Sequence, residues 1–433
     1  MAVEPDRAPL GDEQNFTTGV LGAAVLVVGA LGCAAVAATG HESPLFTYRY
    51  VIVVLASFLV MAAYELGVVK VHRRNFDFGR SHEWTDAAKR RVLVRCAALG
   101  GHLLVAVVAY TVLSHYGLNL SGEGLFRFER SWYAPYFRLF FPLCAALVVL
   151  GPAYAWLSER YGRWSPDEDD LLNAGRGYAA LLYLRKPDAA FWAAQRSALV
   201  KFYFLPVMTV FLVGNAGNLE LAVRNVLLYG GGSVQDTDFL ALLWTVGFHA
   251  TYVVDVALAI LGYIVALRLF DTHVRSADPT ASGWVVAIMC YPPFNQLADL
   301  YLGYMNAEHS WTGSLEGHSV VLVVLGGVTL LLAVIYTLAT VAFGLRFSNM
   351  TNRGIVSRGP YAWVRHPAYV TKVLGWWLIS APFLTGVGNT VRLGLWTAIY
   401  VARALTEERH LMADPNYRAY TERVRWRFIP GVW

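Results

Sequence analysis

Arg365, His366 and Pro367 open an apolar run, and Glu407 and Glu408 close a later one. A residue before proline is pushed out of helical geometry, and proline itself suits the first helical position. The pattern therefore predicts a helix starting at Pro367, with Arg365 and His366 at its mouth. The first N–H groups of such a helix are unpaired and carry partial positive charge, which favours a carboxylate or phosphate there. Arg365 adds a planar guanidinium that grips the same kind of group with two donors. Glu407 and Glu408 would supply the opposite charge. Neighbours on a helix point about 100° apart, so one of the pair is expected to enter any given site. An anion receiver facing a carboxylate suits a ligand that carries both charges. The rings of Tyr361, Tyr369 and Trp376 could add cation–π attraction. A plainer reading makes Arg365 a snorkelling anchor, His366 a cap, and the acids partners of Arg403 or Arg409 across one turn. The ordered set favours the site.

These residues need a scaffold, and composition decides its class. The 433-residue chain is 56% hydrophobic and only 15% charged, with a mean hydropathy of +0.44, whereas soluble domains are about a quarter charged. Ten apolar segments stand out, at 18–38, 48–68, 95–114, 136–157, 198–217, 239–267, 282–304, 319–344, 369–386 and 388–405. Most reach the roughly twenty residues that cross a bilayer as a helix. The expected fold is an all-α, polytopic transmembrane helical bundle whose last two segments form a helical hairpin. Loops 69–94, 158–197 and 345–368 and the tail from 405 are rich in arginine, while 39–47, 115–135, 218–238 and 305–318 carry few basic residues. By the positive-inside rule, both termini are expected in the cytoplasm, and the Arg365 motif and the acidic pair fall on that same side. The first apolar run ends "GCAAVAATG", but the acidic stretch before it argues for a retained span over a cleaved signal. The arginine-over-lysine bias, with the Ala/Val/Leu/Gly richness, points to a bacterial genome of high GC content, and the membrane expected is then the bacterial inner membrane. Cys33, Cys96, Cys144 and Cys290 lie in or beside apolar runs without CxxC spacing, so they read as packing residues and no metal site is expected.

Other polar groups follow the same logic. Ser165, Pro166 and the acids 167–170 read as a capped helix start. His249 and Asp255 sit within an apolar segment, where ionisable residues are functional candidates. Pro292-Pro293 must break the next segment, and Asn295 and Asp299, four apart beyond it, are expected to border a substrate cavity; Gln296 lies between them. His309 and His318 fall in a loop on the far side. Residues 414–428 read as an interfacial helix, capped by Asp414, started by Pro415, and apolar at Tyr417, Tyr420, Val424 and Phe428.

The stretch "GPYAWVRHPAYVTKVL…EERHLMADPNYRAYTERVRWRFIP" resembles the C-terminal signature of isoprenylcysteine carboxyl methyltransferases and the related phospholipid methyltransferases. The GPY turn, RHPxY, the EE pair, the Tyr417–Tyr420 spacing and the closing R-x-I-P from Arg427 to Pro430 carry the resemblance, which covers about 345–433. The sequence departs from the pattern at Thr371, where that family often has glycine. The resemblance implies an integral-membrane methyltransferase using S-adenosylmethionine, a ligand with the required pair of charges plus a sulfonium. It implies cofactor contacts from Tyr361, His366, Tyr369, Glu407 and Glu408, with Arg365 and Arg427 facing an acidic substrate group. An arginine would orient a carboxylate nucleophile, which needs no general base; an amine or hydroxyl would need one, with His410 or Glu408 as candidates.

The expected division is 1–235, a transmembrane bundle of open role, and 236–433, the methyltransferase-like core. Expected partners are a lipid-like or isoprenoid small molecule and membrane lipids, with no nucleic acid. A homo-oligomer interface, a substrate vestibule and plain scaffold are the alternatives for the N-terminal spans. Two other functions compete. Membrane sterol reductases carry a similar RHPNY-type stretch and use NADPH, but here Ala368 replaces the asparagine and the EE pair favours methyl transfer. A transporter or receptor is the non-enzymatic alternative, supported by the broken helix and by Asp255 and Asp299.

Overall fold

The fold is seen in a computed structural model, which describes residues 12–40, 48–116, 130–229, 237–292, 294–295, 311–384 and 386–433. Twelve helices carry the described part: α1 Asp12–Ala38, α2 Arg49–Ala63, α3 Asp86–Tyr116, α4 Arg130–Tyr161, α5 Asp170–Leu182, α6 Ala189–Leu228, α7 Thr237–Ile264, α8 Ala281–Ile288, α9 Ser319–Phe343, α10 Pro367–Ser380, α11 Val387–Leu411 and α12 Pro415–Arg423. Sheet is confined to β1 Ser276–Ala277 and β2 Thr351–Asn352, a short antiparallel pair. Seven helices among the described residues are long and apolar enough to cross a membrane: α1, α2 with its π-helical extension to Val69, α3, α4, α6, α7 and α9. The chain is a polytopic helical bundle.

Helix α7 is the hub. Every side chain from Val253 to Tyr263 is buried, packed against α6, α9 and α1. Close approach is enforced at Gly262, where a Cβ would lie 2.3 Å from the Phe347 carbonyl oxygen. The last two predicted segments form the expected pair, α10 and α11. At 14 residues, α10 is about 21 Å long, short of the roughly 30 Å hydrocarbon core.

The segment 282–304 departs from a single span. Helix α8 ends at Ile288, and the chain turns through Tyr291 and Pro292. The break comes before the prolines because helical geometry is already disfavoured at the residue preceding each ring. Tyr203 of α6 secures the turn, donating to the Pro292 carbonyl at 3.0 Å. Gln296, Asp299 and His309 lie outside the described residues.

The arginine-rich loops meet one another. Asp77 N donates to Tyr161 O at 2.8 Å, and Arg163 N to Asn75 O at 2.9 Å. Asp271 receives Arg74 at 3.0 Å and Arg346 at 2.9 Å. Arg353 donates to the carbonyls of Thr272 and Gly262, each at 2.6 Å. Loops 69–94, 158–197, 265–280 and 344–366 thus form one platform at one end of the bundle. At the start of α2 and the distal end of α6, Arg49 makes a two-pronged contact with Glu220, both bonds 2.6 Å.

Two local readings shift by a few residues. Ser165 does cap Pro166, but the turn it caps is 3-10 and ends at Glu168; Asp169 then caps α5 by accepting from Leu172 N. The tail helix α12, capped by Asp414, stops at Arg423. Beyond it the chain folds back along the start of α10.

Candidate functional site

Gly359 opens the approach to the site. Its φ of +61° is left-handed, a conformation glycine adopts without steric cost, and a Cβ there would lie 2.9 Å from the Phe16 ring. The 3-10 turn Gly359–Ala362 follows, and Tyr361 accepts through its carbonyl from the Tyr420 hydroxyl at 2.8 Å. The chain then pairs with its own tail: Arg365 N donates to Trp426 O at 2.9 Å and His366 N to Arg427 O at 3.0 Å. This backbone pairing brings Arg427 to the mouth of α10, which begins at Pro367.

His366 holds the N-cap position without capping through its side chain. Instead its Nε2 lies 3.1 Å from Glu408 Oε1. Arg365 Nη1 reaches the same oxygen at 3.2 Å, and Arg427 Nε donates to Glu408 Oε2 at 2.9 Å. Glu408 is thus held by three groups, and it is buried together with His366 and the Arg365 side chain. Glu408 lies past the apolar part of α11. Burial pushes its carboxyl up, but His366, Arg427 and Arg365 outweigh this and hold it below its ordinary value. Glu407 takes a different partner, accepting from the Tyr369 hydroxyl at 2.6 Å. The 100° offset between neighbours sends the two acids to two residues of one motif.

Aromatic rings line the same region. The His366 and Tyr369 rings stack with centroids 5.5 Å apart and planes within 9°. The Phe428 ring also meets His366, tilted by 32° with centroids 5.5 Å apart. Tyr400 meets Tyr369 and Trp376 edge-on at 5.9 and 4.9 Å. The Tyr361 ring packs on Phe343 at 5.2 Å, beside the Tyr417–Tyr420–Val424 cluster of the tail.

The sequence-predicted residues therefore gather in one place: Arg365, His366, Tyr369, Glu407, Glu408 and Arg427, with Tyr361 on the flank. Asn295 lies on the broken segment after Tyr291, and its buried Oδ1 has no hydrogen-bond partner among the described residues. Asp299 is outside the described residues. Arg403 and Arg409 do not pair with Glu407 or Glu408. Arg409 turns to Thr280, Ser282 and Asp278. Arg403, buried, donates to Asn349 Oδ1 at 2.6 Å and lies 5.1 Å from the ring centroids of both Tyr291 and Tyr369. From sequence Arg403 was considered only as an ion-pair partner and Lys372 was not singled out, although a charged residue inside an apolar run is a readable signal. Among the described residues no cluster of His, Cys, Asp or Glu is arranged to hold a metal ion.

Residues 319–413 match the isoprenylcysteine carboxyl methyltransferase (ICMT) family. The matched stretch runs from the start of α9 to just past α11, so it contains the Arg365 motif and both glutamates. No curated protein and no solved structure matches the chain. The ICMT match covers the C-terminal part, and the helices before α9 lie outside it.

Proposed function

We propose that the chain is an integral-membrane methyltransferase that uses S-adenosylmethionine to methylate a lipid-like or isoprenoid acceptor, with carboxylate O-methylation favoured. The platform of arginine-rich loops would face the cytoplasm, with both termini on that side, in a bacterial inner membrane. In this reading residues 236–433 form the catalytic core and residues 1–235 a supporting bundle.

The observation that carries the reading is the joining of two sequence-distant halves. The RHPxY motif at the start of α10 and the acids at the end of α11 bond residue to residue, Tyr369 to Glu407 and His366 with Arg365 to Glu408. The donor set also fits the nucleotide. Among the described residues the buried Arg365 Nε has no acceptor, so it is available for the cofactor's carboxylate. Glu407, half-buried, uses one oxygen on Tyr369, which leaves the other for an ammonium or ribose hydroxyl. The faces of His366 and Tyr369 supply π density, with Tyr361 on the outer wall. S-adenosylmethionine, when bound, supplies an electrophilic methyl on a cationic sulfur.

The chain's own residues then have positional work. Glu408 fixes the direction of Arg365 and His366, so those side chains are set before any ligand arrives. Arg427 closes Glu408 from the rim and stands nearest the solvent side, where an acidic substrate group would meet it. A carboxylate acceptor arrives already deprotonated, so alignment is the main requirement. Isothermal titration with S-adenosylhomocysteine tests the reading, followed by a lipid extract incubated with methyl-labelled cofactor. Binding together with a labelled lipid product supports it. Binding of NADPH alone would favour a reductase, and binding of neither a transporter or receptor.

A further inference from the structure

The turn that joins α5 to α6, at the platform end of the bundle, shows its apolar side chains to the outside. Leu182, Tyr183 and Leu184 are 84%, 77% and 97% exposed, and among the described residues no large apolar side chain is more exposed than Leu184. The turn is built, not loose. Leu184 N donates to Leu181 O at 3.0 Å and Arg185 N to Ala180 O at 2.8 Å, the paired bonds that close a helix end around one left-handed residue. That residue is usually glycine, because a Cβ makes the conformation costly. Here it is Leu184, with a φ of +55°. Asp188 then caps α6 by accepting from Phe191 N at 2.9 Å, and the Tyr178 hydroxyl of α5 donates to Gln195 of α6 at 3.1 Å.

So exposed a leucine makes no packing contact that would offset the cost of its backbone, so its use lies outside the fold. Arg185 and Lys186 follow it, both exposed, and among the described residues neither side chain makes a hydrogen bond or an ion pair. The apolar surface continues onto α6, where Trp192 and Leu199 are exposed and, seven residues apart, share a face. Helix α6 is one of those long and apolar enough to cross a membrane. Its 40 residues run about 60 Å, twice the roughly 30 Å of hydrocarbon, so α6 overhangs into the headgroup layer. A tyrosine, a tryptophan and two basic side chains suit that layer. The continuous stripe from turn to span favours lipid over a soluble partner, and the two cations favour lipid of negative charge.

We infer that the α5–α6 turn docks on anionic lipid at the platform end, with Leu182, Tyr183 and Leu184 entering between headgroups and Arg185 and Lys186 meeting their phosphates. The turn lies outside the matched stretch 319–413, and its docking does not depend on the reaction carried by the C-terminal core. It gives the N-terminal half a task of its own, which is to fix the depth of the bundle at that leaflet.

The test places the photoreactive residue p-benzoylphenylalanine at Leu184 of the full-length protein and, as a control, at Val149, which is exposed on the span α4. The protein is irradiated in nanodiscs of phosphatidylcholine and phosphatidylglycerol in equal parts, and also in native membranes, and adducts are identified by mass. Lipid adducts are expected at both positions. The anionic lipid should be over-represented at Leu184 relative to Val149 by about fivefold, the scale of one basic residue at a charged surface. Arg185→Gln combined with Lys186→Gln should abolish that enrichment and leave Tm unchanged. Leu184→Gly should raise Tm in detergent, because it relieves the left-handed backbone. A protein adduct at Leu184 in native membranes overturns the inference, as does a lack of lipid adduct there while Val149 gives one. Equal lipid composition at the two positions, or a Leu184→Gly protein less stable than the wild type, overturns it as well.

Discussion

Among the described residues Glu159, Asp271 and Glu408 each sit between arginines, and the first and the last, one in each half of the chain, make the instructive pair. In the N-terminal half, Glu159 of α4 receives Arg91 and, at 2.6 Å, Arg95. Arg95 also donates to Asp169 at 3.0 Å, and Asp169 caps α5. In the C-terminal half, Glu408 receives Arg365, His366 and Arg427. The first cluster is balanced, two arginines against two acids, and it ties α3, α4 and α5 together. The second has two guanidiniums and an imidazole against one acid, and among the described residues it leaves the Arg365 Nε buried without an acceptor. Charge balance with a capping duty is what fold maintenance requires. Surplus positive charge with a free donor is what a ligand site requires.

Removing either central acid sharpens that contrast most. Glu408→Gln strands Arg365 and His366 beside one another in a buried place. A loss of about 3–5 kcal/mol is expected, the usual result of deleting one partner of a buried pair, read as a fall in Tm in detergent. S-adenosylhomocysteine binding should fall as well. Glu159→Gln should lower Tm by a similar amount, since both Glu159 and Arg95 are buried. Its nucleotide affinity, measured below the new Tm, should be unchanged. Equal loss of nucleotide binding in a folded Glu159→Gln protein would erase the distinction.

Glu407→Gln separates ligand contact from fold more cleanly. The amide still offers an oxygen to the Tyr369 hydroxyl, so the Tm should move little. The charge for an ammonium is gone, and nucleotide affinity should fall about tenfold, the value of one charge-assisted hydrogen bond. Calorimetry on the variant reads this directly. Native affinity would remove Glu407 from the site.

Much of this geometry was legible in sequence because hydropathy and proline placement are local signals. The apolar runs located the helices, and His366-Pro367 marked the start of α10 to the residue. The arginine-rich loops, grouped by the positive-inside rule, do meet in one platform. What stayed hidden is non-local. Nothing in "VRWRFIP" announces that Trp426 and Arg427 pair by backbone with Arg365 and His366, because a two-residue backbone pairing has no hydropathy pattern. The partners of Asp255 were hidden for the same reason: Tyr336 and Thr340 are ordinary residues in an apolar helix until α9 packs on α7. Arg403 looked like an ion-pair partner for Glu407 one turn away, yet Asn349 and two tyrosine rings claim it.

Arg427 lies at the rim, its side chain about a third exposed against 9% for Arg365. Arg427→Ala should therefore cost only about 1 kcal/mol of stability, since solvent screens the contact. Its main effect is expected on acceptor turnover, with nucleotide affinity nearly intact. A nucleotide defect as large as that of Glu408→Gln would show that the rim belongs to the cofactor instead.

The smallest effect concerns pH. Glu408 ionises more easily in the fold than in an unfolded chain, where its ordinary value is 4.5. A depressed carboxyl stabilises the fold fully above the unfolded value, and that contribution fades as pH falls toward the folded one. The wild type should thus lose Tm on acidification below about 4.5 more steeply than Glu408→Gln, whose amide has no proton to take up. The gap between the two curves should narrow in acid and be widest near neutrality. Parallel curves would mean that the three donors around Glu408 do not set its charge.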